Sequence, residues 1–151
     1  MRDTIAVGTL AGVVALIVYE IVDWLITGSF GADYTAPWEA GANIYLKEHY
    51  VHTPFGYITG ITNSLVMTCA IGVLTAIVLR ISGKDYYLIK AIGVSLMWRL
   101  GTFGILAPIS GIASQMNNEP YSQFIYYINF MILGAVTSYI VAKYMKPLNK
   151  K

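Results

Sequence analysis

An arginine lies near the middle of one of the apolar stretches of this sequence. Arg99 stands within AIGVSLMWRLGTFGILAPISG, residues 91–111. A charge at the centre of a bilayer costs about 2.5–3.5 kcal/mol on insertion scales, so such a residue needs a partner, a water pocket or a functional role. We therefore searched the other apolar stretches for groups that Arg99 could bind.

Two carboxylates near the end of the first apolar stretch are the strongest candidates. Glu20 and Asp23 are three residues apart, which places them on one face of a helix. At 1.5 Å per residue, Glu20 should lie roughly 6 to 8 Å nearer the outside than Arg99, within reach of an extended arginine. We predict an ion pair between Glu20 and Arg99. Asp23 either joins this network or is a water-exposed carboxylate near the interface.

Two amides and a tryptophan complete the candidate site. Asn63 and Asn129 belong to two further apolar stretches at nearly the depth of Glu20, and Trp98 adjoins Arg99. An aromatic face beside a guanidinium suits an anion or a polar headgroup. Buried amides also hydrogen-bond across membrane helices for purely structural reasons. The sequence thus predicts a polar network drawn from four helices, with a binding role and a structural role both open.

Pro108 should disturb the helix that carries Arg99. Proline has no N–H, and its ring clashes with the carbonyl group four residues earlier. We expect this helix to end or kink near Ile105 and to free a carbonyl group near Gly104 toward a cavity.

Two histidines offer a different chemistry. His49 and His52 are three residues apart in the long first link, and with Glu20 and Asp23 they could supply ligands for zinc or a similar ion. Nothing in the sequence fixes the spacing between these two pairs. We therefore predict solvated or hydrogen-bonded histidines, no metal or other cofactor, and no catalytic residue.

The composition indicates the elements that position these residues. The 151 residues are 56% hydrophobic and 12% charged, with a mean hydropathy of +0.59. Four apolar stretches reach the roughly 20 residues that a membrane-spanning helix needs, at 5–26, 55–81, 88–109 and 121–142. We predict an all-α integral membrane protein, a four-transmembrane-helix bundle that forms a single domain over residues 1–151.

Basic residues predict the orientation of this bundle. They flank the second link and crowd the C-terminus, at Arg80, Lys84, Lys90, Lys143, Lys146, Lys150 and Lys151. By the positive-inside rule both termini should be cytoplasmic. The same rule and the attraction of anionic lipids account for the lysines, so we expect the lipid bilayer and no nucleic acid as a partner. The first apolar run is too long for a signal peptide, and we expect it to be retained.

Small residues predict how the helices pack. The second stretch has one at every fourth position, at Gly56, Gly60, Ser64, Thr68, Gly72 and Ala76. Such a row lets a neighbouring helix approach closely, as does the Gly8/Gly12 pair in the first stretch. We expect the second helix to be a packing hub, and the bundle to form a homo-oligomer or to join a partner membrane protein. In the first outer loop, Pro37 should begin a short interfacial helix.

The sequence resembles the small uncharacterised bacterial inner-membrane proteins of the YagU type. The shared features are the opening VGTLAGVVA, the long polar first link, HTPFGYITG at the start of the second stretch, and a polar cluster in the outer half. The resemblance implies a multi-pass protein of the bacterial cytoplasmic (inner) membrane. It implies no defined activity and carries over no functional residue.

Three functions remain open from the sequence. The first is a structural or accessory bundle with a buried polar network. The second is an oligomeric binding or transport protein for a small polar or anionic solute from the outer face, in which Arg99 contacts the anion and Glu20 is its counter-ion. The third, a membrane-embedded metal-dependent enzyme, is the weakest, because the sequence has no HExxH, CxxC, GxSxG or P-loop motif.

Overall fold

The computed structural model describes residues 3–30, 36–109 and 120–145. All regular structure in these ranges is helical: α1 (Thr4–Phe30), α2 (Pro37–Asn43), α3 (Glu48–Val51), α4 (Pro54–Ser82), α5 (Tyr87–Arg99), a π-helical segment (Leu100–Leu106), α6 (Ala107–Ile109) and α7 (Pro120–Tyr144). Residues 110–119, which include most of the predicted third link, and the lysines Lys146, Lys150 and Lys151 lie outside the described residues.

Four of these helical stretches are long and apolar enough to cross a membrane. They are Thr4–Ile26, Pro54–Ser82, Tyr87–Ile109 and Gln123–Tyr144. The prediction of four spans is confirmed, with every end within two residues of its predicted position. The chain is therefore an all-helical protein with the helices of a small multi-pass membrane protein.

The spanning helices alternate in direction. At one end of the bundle, Arg80 Nη1 of α4 donates a hydrogen bond of 2.5 Å to the Thr4 hydroxyl of α1. At the same end, Lys84 Nζ donates to the carbonyl oxygens of Ala142 (2.6 Å) and Met145, in α7 and just after it. The start of α1 therefore meets the ends of α4 and α7, and α2 and α3 pack near the opposite end.

The row of small residues on α4 is buried along its whole length, which confirms α4 as the packing hub. One half of the row accepts α1. A Cβ atom built on Gly8 would lie 2.6 Å from the Cα atom of Val73, and one on Gly12 would lie 2.6 Å from the Cα atom of Cys69. Only glycine leaves room for two backbones this close.

The other half of the row accepts the short helices α2 and α3. A Cβ atom on Gly60 would overlap the carbonyl oxygen of Trp38, and one on Gly56 would overlap the carbonyl oxygen of Val51. Helix α2 begins at Pro37, as predicted, and buries most of its residues. One continuous sequence pattern thus packs against three helices, α1 in one half and α2 and α3 in the other.

Helix α5 packs against α7 through another row of small residues. Ala91 and Ser95 are fully buried. The Ser95 hydroxyl donates a hydrogen bond of 2.7 Å to the Phe130 carbonyl oxygen, and a Cβ atom on Gly134 would lie 2.6 Å from Ser95 Oγ. Arg99 continues this row at the next position of α5 and therefore faces α7.

The predicted break at Pro108 takes a different form. Residues Leu100–Leu106 form a π-helical segment, and the chain then continues as α6 through Pro108. The Ala107 N–H donates to the Thr102 carbonyl oxygen, five residues earlier. The wider turn accommodates the proline without ending the helix, so the disturbance starts earlier than expected and spreads over seven residues.

Candidate functional site

Arg99 is buried between α5 and α7. It is 5% exposed. Its Nη2 donates a hydrogen bond of 2.6 Å to Gln123 Oε1 and a longer one of 3.5 Å to the Gln123 carbonyl oxygen. The guanidinium carbon lies 3.6 Å from the centre of the Tyr127 ring. The buried Nε has no hydrogen-bond partner among the described residues.

The predicted ion pair between Glu20 and Arg99 is wrong. Among the described residues no carboxylate oxygen comes within 4.0 Å of a nitrogen of Arg99, and the close contact that is found joins the His52 imidazole to the Glu39 carboxylate. Helix α5 packs mainly against α7 and α4, whereas Glu20 is on α1. Arg99 therefore takes its partners from the adjacent α7, and both of those partners are uncharged.

Asp23 and Asn129 are the two predicted residues that the structure joins directly. Asp23 Oδ1 accepts a hydrogen bond of 3.2 Å from Asn129 Nδ2. Both side chains are buried, at 5% and 0% exposure. The bond links α1 to α7, so Asp23 belongs to the bundle interior and is not the water-exposed carboxylate of the alternative prediction.

Tyr19 lies in the bundle interior, one helical turn before Asp23 on α1. Its side chain is 1% exposed, and its ring meets the ring of Phe130 edge to face, 6.4 Å between centres. Phe130 belongs to α7, so this contact joins α1 to α7. Tyr19 and Asp23 are four residues apart, so both face α7 from the same side of α1.

Asn63 serves a different contact. Its Nδ2 donates a hydrogen bond of 3.3 Å to the Gly41 carbonyl oxygen of α2. It also lines a cavity of about 340 Å³ between α4 and the π-helical segment, as does Trp98. The Trp98 Nε1 is buried and has no hydrogen-bond partner among the described residues. These two residues belong to the cavity, and the cavity lining does not include Arg99.

The two histidines lie apart from the buried polar residues. His52 Nε2 is 3.2 Å from Glu39 Oε1, and its ring meets the Trp38 ring edge to face, 6.0 Å between centres. The His49 ring packs 3.8 Å from the Tyr50 ring. In the described ranges, no three His, Cys, Asp or Glu side chains come together in a way that could hold a metal ion.

The candidate list from the sequence omitted the two closest partners of Arg99, Gln123 and Tyr127. Their spacing of four residues places them on one face of α7. A further signal was present in α5, because the small residues Ala91 and Ser95 precede Arg99 at the same spacing and mark the face that packs against another helix.

Comparison with known proteins adds no relative: no protein-family model, no curated protein and no solved structure matches this chain.

Proposed function

We propose that this chain is a small multi-pass protein of the bacterial cytoplasmic membrane that binds a small anionic group at Arg99 from the outer face. One observation carries the proposal: Arg99 is buried, and its described partners, Gln123 and Tyr127, are uncharged. A buried charge that only joins helices is ordinarily paired with an opposite charge. A bound anion is the group that would complete this site.

The electrostatics of the bundle favour an anion over a cation or a neutral solute. Asp23, a buried carboxylate of α1, accepts a hydrogen bond from Asn129, and among the described residues no ion pair joins it to Arg99. In a surrounding of low dielectric constant, a guanidinium without a counter-ion attracts a carboxylate or phosphate strongly. Tyr127 covers the guanidinium by a cation–π contact, which leaves its positive charge in place.

The distribution of basic residues supports entry from the outer face. Arg80, Lys84 and Lys90 lie at the end of the bundle opposite Gln123, and positive residues mark the cytoplasmic side. Trp38 stacks on Tyr57 near the Gln123 end, 4.3 Å between ring centres. Such aromatic pairs suit the membrane interface, and we propose that α2 lies at headgroup depth on the outer side.

The test is thermal melting of the purified protein with three probes: inorganic phosphate, acetate, and phosphatidylglycerol compared with phosphatidylcholine. An anion bound at 100 times its Kd should add about 2.7 kcal/mol of stability. We expect Arg99→Gln to lose this shift. Arg80→Gln is the matched control, because Arg80 is a half-buried arginine that also has a neutral hydrogen-bond partner. An equal shift in Arg99→Gln, or no shift with any probe, would contradict the proposal.

A structural or accessory role is the second candidate, and a specific observation favours it. Several hydrogen bonds join different helices, among them those between Asn129 and Asp23 and between Ser95 and the Phe130 carbonyl oxygen. Such bonds fix the register of membrane helices. In this role the chain would act with a second copy or another membrane protein, and Arg99→Gln would change stability without changing the response to anions.

A further inference from the structure

The hydrogen bond between Asp23 and Asn129 leaves one buried atom of the amide without a partner. Asn129 Nδ2 donates to Asp23 Oδ1 at 3.2 Å, whereas Asn129 Oδ1 is buried and accepts from no described residue. The Asn129 side chain is 0% exposed and that of Asp23 is 5% exposed. Both residues belong to candidate membrane spans, Thr4–Ile26 and Gln123–Tyr144. A buried acceptor without a donor is costly there, because the bilayer core holds no water that could donate to it.

The missing donor can come from Asp23 itself. A carboxyl group and a carboxamide are both planar, and each carries two polar atoms on one carbon. When the carboxyl group is protonated, its O–H can donate to the amide oxygen while its other oxygen accepts from the amide nitrogen. The second of these bonds is the one that joins Asp23 to Asn129. The structure thus contains half of a ring of two hydrogen bonds, and the other half needs one proton on Asp23 Oδ2.

Small rotations are enough to complete this ring. The terminal torsions of aspartate and asparagine side chains are broad, so the two planar groups can align without a change of rotamer. A carboxylate has about four acceptor positions, so further bonds to Asp23 leave room for the proton. With Asp23 ionised, the pair keeps one bond, a buried charge and the unpartnered oxygen of Asn129. A proton removes the charge and supplies the oxygen with a donor, and both changes favour the buried pair.

We propose that Asp23 and Asn129 form a proton-binding site between α1 and α7. A proton from water binds Asp23 Oδ2 and is donated to Asn129 Oδ1, so that two hydrogen bonds join the helices in place of one. Acidification therefore strengthens the contact between α1 and α7. The site does not depend on an anion at Arg99, whose partners Gln123 and Tyr127 are other residues of α7.

The other ionisable side chains in this half of the bundle decide which control is needed. Among the described residues, those that are buried or half-buried are Tyr19 and Glu20 of α1, Glu39 of α2, Arg99 of α5 and Tyr126 of α7. Glu39 and Arg99 have the partners described above, and tyrosine side chains are ordinarily neutral below about pH 10. Glu20 is an acid on the same helix, three residues before Asp23, and supplies the matched control.

Infrared spectroscopy of the purified protein shows whether Asp23 carries the proton. Spectra are compared between about pH 9 and about pH 5, a range in which an exposed aspartate stays largely ionised. We expect the carbonyl band of a protonated carboxyl group to appear as the pH is lowered, to be absent from Asp23→Asn and to remain in Glu20→Gln. In Asn129→Ala the band should move to higher wavenumber, because the carboxyl group loses both hydrogen bonds.

Three infrared results would overturn the proposal. The first is the absence of a protonated carboxyl band over this pH range. The second is a wild-type band that Asp23→Asn leaves unchanged, which would assign the proton to another group. The third is a band that keeps its position in Asn129→Ala, which would mean that the proton is not donated to Asn129 Oδ1.

The pH dependence of unfolding gives an independent test. Asp23→Asn replaces the acid by an amide, which can make both bonds to Asn129 without a proton and should therefore fold. If the folded wild-type protein holds one proton more than the unfolded chain, its stability falls as the pH rises. The unfolding constant of wild type, divided by that of Asp23→Asn, should then rise by up to tenfold per pH unit. A ratio that stays constant between about pH 5 and about pH 9 would contradict the proton-binding site.

Discussion

Replacing Arg99 by glutamine should cost far less stability than the loss of a buried ion pair. Where one partner of a buried ion pair is removed, the remaining charge is stranded, and the loss is about 3–5 kcal/mol. Arg99 has no such partner among the described residues, because its Nη2 binds the amide oxygen of Gln123. The substitution Arg99→Gln therefore strands no carboxylate.

The expected magnitude follows from three contributions. Loss of the charged hydrogen bond to Gln123 costs about 1.5–3 kcal/mol, and loss of the cation–π contact with Tyr127 costs about 1–2 kcal/mol. Removing a charge from the centre of a membrane helix returns about 2.5–3.5 kcal/mol. The net effect of Arg99→Gln lies between a slight stabilisation and a loss of about 2.5 kcal/mol.

A double-mutant cycle separates the partners of Arg99. Reversible unfolding in mixed micelles, titrated with a denaturing detergent, gives the free energy of unfolding of each variant. We expect a coupling of about 1.5–3 kcal/mol between Arg99→Gln and Gln123→Ala. Between Arg99→Gln and Glu20→Gln we expect less than about 0.5 kcal/mol, since the two groups form no ion pair. A coupling above about 1 kcal/mol with Glu20, together with none to Gln123, would refute the assignment.

Three further predictions use the same unfolding assay. Gly72→Ala should destabilise the protein by about 1–3 kcal/mol, because the added Cβ atom would lie 2.9 Å from the Gly12 nitrogen and overlap α1. Gly93→Ala is its control: a Cβ atom there would have nothing within 4 Å, so the substitution should be neutral or stabilise by up to about 1 kcal/mol. Asn129→Ala should cost about 1.5–3 kcal/mol through its bond to a carboxylate, and equal stability would mean that this bond has no energetic role. Thr53→Ala should cost about 0.5–2 kcal/mol and speed hydrogen exchange at the start of α4, whose Gly56 N–H it caps; unchanged exchange would contradict the cap.

The spanning helices could be predicted from the sequence because each is marked by an unbroken run of apolar residues. Each apolar run needs about 20 residues to cross the hydrocarbon, and polar residues bound each run. Pro37 begins α2, as expected, because a first helical position needs no N–H donor, and Pro120 begins α7 in the same way. The π-helical segment was missed, because proline predicts a disturbance of the helix but does not determine how the chain relieves it.

The partners of the helices could be predicted only in part. The row of small residues on α4 indicates that another backbone comes close, but it does not name that backbone. In the structure Gly72 packs against α1, whereas Gly60 packs against α2. Which helix packs on each part of the row depends on how far α2 extends along α4. That distance is set by the tertiary fold and cannot be read from the row itself. Asn63 hydrogen-bonds across helices, as expected of an amide in a membrane helix, but its acceptor is a backbone carbonyl group of α2 that no side-chain pattern reveals.

The candidate site shows why shared depth does not establish contact. Trp98 and Arg99 are adjacent in sequence, but neighbouring positions on a helix point about 100° apart. The Trp98 ring lines the cavity beside α4, and the Arg99 guanidinium binds Gln123 of α7. Residues four positions apart lie on the same face of a helix. Ala91 and Ser95 precede Arg99 on the face that packs against α7. Thr102 follows Trp98 on the face that lines the cavity. The helix face decides which of these residues can act together, and it separates the surroundings of Arg99 from the largely apolar cavity beside α4.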